Sequence, residues 1–148
     1  MMSDRGRLSG TAIDLLQTMA PRLGTNFAPL VSVYMDPIIR LLARPNKVVL
    51  KRTDKCLTTI LTHCHLTTIV FELRKGLSDE AATCRRGCAT AIERALESWE
   101  KEIWGEKGVV ALEEIIRKIA VDKDAEVRQT AKSIWALFTS QWPERVEE

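Results

Sequence analysis

VRQTAKSIWALFTSQW, residues 127–142, decides how the rest of the chain is read. Val127, Ala131, Ile134, Trp135, Phe138, Thr139 and Trp142 stand at offsets 0, 4, 7, 8, 11, 12 and 15 from Val127. Residues so spaced share one face of a helix with about 3.6 residues per turn. Asp122 and Asp124 precede the stretch and can cap its free amides, while Pro143 stops it.

The same template recurs three times upstream. Set at Leu8 it collects Leu8, Ala12, Leu15, Leu16, Met19, Ala20 and Leu23. Set at Val49 it collects Val49, Thr53, Cys56, Leu57, Ile60, Leu61 and Cys64. Set at Cys84 it collects Cys84, Cys88, Ala91, Ile92, Ala95, Leu96 and Trp99. The four starts lie 41, 35 and 43 residues apart. A period near 40 marks a solenoid of paired helices, in which each pair buries its apolar face on the next.

Shorter apolar segments lie between the template helices. Ala28–Ala43 is apolar nearly all round and is expected to be buried on several sides, with Pro29 in its first turn and a kink at Pro37. Leu66–Leu77 is helix-spaced, although Thr67–Phe71 alone could pass for a strand. Val109–Val121 repeats the helical spacing. Gly24, Pro45, Gly76, Gly105 and Gly108 fall where breakers belong, and Gly87 inside a helix implies close approach of a neighbour. The expected fold is all-α: an α-solenoid of antiparallel helix pairs, one domain over residues 4–145 with short tails at 1–3 and 146–148. First helices are expected near 4–22, 47–64, 80–99 and 125–142, second helices near 28–43, 66–76 and 108–121, about three and a half pairs.

Composition narrows the function. The 148 residues are 45% apolar and 28% charged, an ordinary globular mix. A net charge of +2 gives no argument for nucleic acid or an acidic membrane, and no apolar run is long enough to span a bilayer. The opening MMSDRGRLSG lacks the apolar core of a secretion signal. Cys56, Cys64, Cys84 and Cys88 all fall on the template, so they read as core residues in a reducing compartment. His63-Cys64-His65 offers too few ligands for a zinc site, so neither metal nor cofactor is expected. With no phosphate-binding glycine loop and no nucleophile elbow, an enzyme is not expected either.

Asp124-Ala125-Glu126-Val127-Arg128, with the small Ala131 after it, resembles the start of a HEAT-repeat helix. GTAIDLLQTMAPRLGTNFAP (10–29), KCLTTILTHCH (55–65) and EVRQTAKSIWALFTSQWPER (126–145) together resemble the TOG-like domain of CLASP proteins, the microtubule-rescue factors. That resemblance runs from Arg7 to Arg145 and implies the later part of a flat HEAT paddle, without the family's first, tryptophan-bearing turn. It implies binding of αβ-tubulin or microtubules, whose surface is acidic, along the edge made by the turns inside each helix pair. It also implies a place in the cytoplasm, on microtubules and the spindle.

Pairing first with second helices puts the within-pair turns at 22–27, 63–66, 99–108 and 142–145. The candidate tubulin edge is then Arg22, Asn26, His63, His65, Lys101, Trp104, Lys107 and Arg145. Trp104 has two readings, an exposed anchor between lysines or a side chain folded back on the core, whereas Trp99 and Trp142 are core. On the other edge, Arg40, Arg44, Lys47, Lys51, Arg52 and Lys55 read as a solvated helix face or a second contact surface. Arg85 and Arg86 fit either reading, and Arg128 is expected to bridge neighbouring repeats through an acidic side chain. Rival functions are an adaptor for another protein, such as a kinetochore or plus-end component, and, more weakly, a nucleic-acid-binding array.

Overall fold

The template helices form where the spacing places them. The computed structural model describes the backbone of residues 5–44 and 46–145; Pro45, both tails and the side chains of residues 5–12, Leu8 and Ala12 among them, lie outside the described residues. The template helices are α1 (Arg5–Leu23), α3 (Lys47–His63), α5 (Ala82–Ser98) and α7 (Ala125–Gln141). Between them run α2 (Val31–Leu42), α4 (Thr67–Gly76) and α6 (Lys101–Ile119). No strand occurs among the described residues, so Thr67–Phe71 is helical despite its β-branched run. A helical neighbour on each side supplies the packing that overrides local propensity.

Two layers result. α1, α3, α5 and α7 pack side by side in one, and α2, α4 and α6 in the other. Side-chain caps start α3 and α7. Asn46 accepts from the amides of Val48 (2.9 Å) and Val49 (3.2 Å), and Asp124 accepts from Val127 (3.1 Å). The core runs unbroken from Ile13 to Trp142 and takes in all four cysteines. Burial pushes the Cys56 thiol up to about 12 and Cys64 to about 11, which keeps both protonated and unreactive.

Three local expectations are corrected. Ala28–Ala43 is not one helix: Gly24–Leu30 is 3-10 and holds Pro29, and Val33 is 58% exposed on α2. Pro37 lies inside α2, on its exposed side. Gly108 lies inside α6 instead of between helices, because α6 starts at Lys101 and is interrupted only at Gly105. Template positions Leu15 and Trp135 are exposed, at 49% and 43%. Each sits on an end helix, which has a neighbour in its layer on one flank only. Gly87 does mark a close approach: a Cβ there would stand 3.0 Å from Leu42 Cδ2.

The pairing itself also differs. α2 lies along α3, α4 along α5 and α6 along α7, while α3 and α4, and α5 and α6, make little mutual contact. The tight hairpins are therefore α2–α3, α4–α5 and α6–α7. Their turns are 43–46, 77–81 and 120–124. Residues 64–66 and 99–100 are the links from one hairpin to the next.

Candidate functional site

The stack has two edges, and the residues singled out in the sequence occupy the link edge. Arg22 ends α1 and Asn26 lies in the 3-10 segment; both are exposed, as are His63, Lys101 and Lys107. His65 is half-buried, its ring 5.6 Å from that of Trp99 and its Nε2 2.9 Å from the Thr62 carbonyl. Lys101 Nζ stands 5.9 Å from the centre of the Trp142 ring, a cation–π distance.

One reading for this edge fails, and one of its cations is engaged. Trp104 is 2% exposed and packs 5.2 Å from Trp99, so the folded-back reading holds and the exposed anchor does not. The cause lies in the backbone. Lys101–Trp104 makes one helical turn, then Gly105 adopts φ 61°, a conformation open to glycine, and α6 sets off again with Trp104 turned inward. Arg145 is not a free cation. It donates to Glu113 at 2.7 Å and Glu106 at 3.1 Å, and this holds the Glu113 carboxyl below its ordinary range. What remains on this edge is scattered cations over a buried aromatic cluster, in which Trp99 Nε1 donates to the Leu61 carbonyl at 2.7 Å.

His63, Cys64 and His65 do not converge. Cys64 is buried with its Sγ 3.6 Å from the Ala20 carbonyl, while His63 is exposed. Among the described residues no group of three or more potential metal ligands occurs, and no helix is long and apolar enough to cross a membrane.

The hairpin edge is built differently. Two of its turns repeat one construction at a 43-residue spacing. Asp79 accepts from the Ala81 amide and Asp122 from the Asp124 amide, each at 2.8 Å. Arg85 Nη1 donates to the carbonyls of Asp79 (3.0 Å) and Glu80 (2.9 Å). Arg128 Nη1 donates to those of Asp122 (2.7 Å) and Lys123 (2.9 Å). So Arg128 closes its own turn, which corrects the expectation that it bridges repeats. The bridge comes from the other pair of arginines. Arg85 Nε donates to Asp122 at 3.0 Å, and Arg86 Nη2 to Asp124 at 2.7 Å. The Arg86 hydrogen bond holds the Asp124 carboxyl down at about 2. These pairs fix the second turn to the third.

Around this frame the hairpin edge is open. Lys47, Lys51, Lys118 and Lys123 are exposed, and Val48 and Val121 stand out at 67% and 81%. A shallow groove of about 600 Å³ lies between the second and third turns, lined by Ser78, Glu80, Lys118, Val121 and Lys123 among others. Exposed aliphatics flanked by lysines suit a protein partner with acidic borders. The sequence carried a signal for this edge, the six-residue spacing of Asp79 to Arg85 and of Asp122 to Arg128, and periodicity alone does not reveal it.

The model of the CLASP N-terminal family matches residues 1–148. The chain belongs to that family. A CLIP-associated protein of Arabidopsis thaliana is 24% identical over 142 residues, which cover 95% of this chain and 10% of that protein. The chain thus spans about a tenth of the length of this CLASP-type relative. The HEAT character read from Asp124–Arg128 and the TOG-like character read from 10–29, 55–65 and 126–145 agree with the family and with the two-layer helical stack.

Proposed function

We propose that this chain is a non-catalytic microtubule-binding module of the CLASP type, which contacts the acidic surface of tubulin through its hairpin edge. Family membership supports the microtubule partner, and the name of the relative, CLIP-associated protein, is in keeping with a place on the microtubule cytoskeleton. One observation carries the choice of edge. α2 pairs with α3, α4 with α5 and α6 with α7, so the turns within pairs are 43–46, 77–81 and 120–124. The family resemblance assigns tubulin contact to turns within pairs; here Val121 and Lys123 lie in the third turn, Lys118 in the last turn of α6 before it, and Lys47, Val48 and Lys51 in the first turns of α3, after the first hairpin turn. Lysines speed encounter with an acidic surface, and the exposed valines add apolar area once contact is made.

The reading is tested by binding to soluble αβ-tubulin and to taxane-stabilised microtubules across ionic strength. Binding is expected to one or both and should weaken as salt rises, because the Debye length shortens to about 8 Å at physiological ionic strength. No binding to either at low salt, with helicity intact by circular dichroism, overturns it and leaves the adaptor for another protein.

A further inference from the structure

The second and third hairpin turns share the Asp–Arg construction and differ in the side chains around it. By the 43-residue repeat, Ser78 is the equivalent of Val121, Lys75 of Lys118 and Glu80 of Lys123. Ser78 lies just past α4 and is exposed. Its amide donates to the Lys75 carbonyl at 3.3 Å, while its hydroxyl has no partner among the described residues. Lys75 is tied to Glu72 at 3.1 Å. Lys118 has Ile115 where Lys75 has Glu72, so it lacks that tie. Lys118 and Lys123 make no ion pair among the described residues, and both line, with Ser78, the groove of about 600 Å³ between the two turns. Most of the carboxylates there are engaged. Asp79 caps the Ala81 amide and Asp122 holds Arg85, which leaves Glu80.

We propose that Ser78 is a phosphorylation site whose phosphate is held across the groove by Lys118 and Lys123, and that this weakens the hairpin edge for an acidic partner. The effect on the partner rests on the tubulin reading above; the site and its lysine receptor do not. In the transfer, Ser78 Oγ attacks the γ-phosphorus of ATP. The oxygen–phosphorus bond forms, the bond from that phosphorus to the β–γ bridging oxygen breaks, ADP leaves, and the hydroxyl proton passes to the kinase's catalytic carboxylate. Phosphoserine carries about −1.5 to −2 charge at pH 7. Before modification the two lysines outnumber Glu80 by one charge, so the added phosphate turns the groove from positive to negative. The setting of the turn also selects the kinase. Gly76 and Leu77, before Ser78, are buried and Arg74 is held by Glu114, whereas Asp79 and Glu80 follow it exposed. A kinase directed by acidic residues reads those two without unwinding α4.

The test incubates the intact chain with ATP and the catalytic subunit of casein kinase 2, an acid-directed enzyme, and in parallel with that of cyclic-AMP-dependent kinase, a basic-directed one. Mass spectrometry should find phosphate on Ser78 from the first, slowed by Glu80→Ala and lost in Ser78→Ala. No phosphate there from either enzyme overturns the site, and phosphate from the second alone overturns the acid-directed class. By phosphorus NMR the phosphate should titrate below its ordinary value of about 6 and return to it with Lys118→Ala and Lys123→Ala together. The same midpoint in both chains overturns the lysine receptor. The modified chain should bind soluble tubulin on the order of tenfold more weakly than the unmodified one. Equal binding overturns the effect on the partner. An unmodified chain that binds no tubulin overturns the docking reading and that effect with it, and leaves the site and its receptor standing on the mass and phosphorus spectra.

Discussion

The two edges of this stack are made from the same helices and held by different forces. At the link edge, Trp99, Trp104 and Trp142 close the helix ends, so the backbone there is fixed by buried aromatic area. At the hairpin edge the turns are fixed by caps and ion pairs, Asn46, Asp79, Asp122 and Asp124 with Arg85, Arg86 and Arg128. Those groups satisfy turn backbone without covering it. The hairpin edge can therefore be both rigid and wet, which is what a docking surface needs. The link edge spends its best anchor side chains on its own core.

The largest expected effect comes from the aromatic edge. Trp104→Ala should lower stability by about 3–5 kcal/mol in denaturant unfolding, the range for emptying a buried tryptophan site. Lys107→Ala beside it should stay within about 0.5 kcal/mol. A near-neutral Trp104→Ala would break the contrast between the edges. On the hairpin edge, Asn46→Ala should cost about 1 kcal/mol, the loss of one helix cap, measured the same way.

Acid separates the edges further. The folded Asp124 carboxyl titrates at about 2, below its ordinary 3.8. Because the folded value is the lower one, the stability it contributes is present above about pH 4 and drains as pH falls towards 2. Asp124→Asn should therefore flatten the melting temperature against pH between these limits. A variant whose acid limb matches the parent would show that the Arg86–Asp124 pair does not hold the third turn.

Much of the fold was legible in the sequence, because an apolar spacing fixes which helix face is buried. It does not say which neighbour covers that face. Links of similar length, 43–46 and 64–66, join α3 to both of its chain neighbours, so spacing alone allowed either pairing. The Asp–Arg spacing of the turns, not the periodicity, carries that information. Leu15 and Trp135 were misread for a related reason: the template identifies a repeat's interface and cannot see where a stack runs out of neighbours. Trp104 sits in a charged, glycine-bearing stretch without periodicity, and its inward turn depends on one positive φ at Gly105. The partners of Arg145, Glu106 and Glu113, lie 39 and 32 residues away, out of reach of local spacing.

The most direct test of the account compares charge reversal on the two edges in one tubulin-binding assay. Lys47→Glu with Lys51→Glu should weaken binding by on the order of tenfold, as loss of favourable steering predicts, with unfolding unchanged. Lys101→Glu with Lys107→Glu should bind as the parent does. The opposite pattern, loss through Lys101 and Lys107 with none through Lys47 and Lys51, would contradict the assignment and return the partner to the link edge.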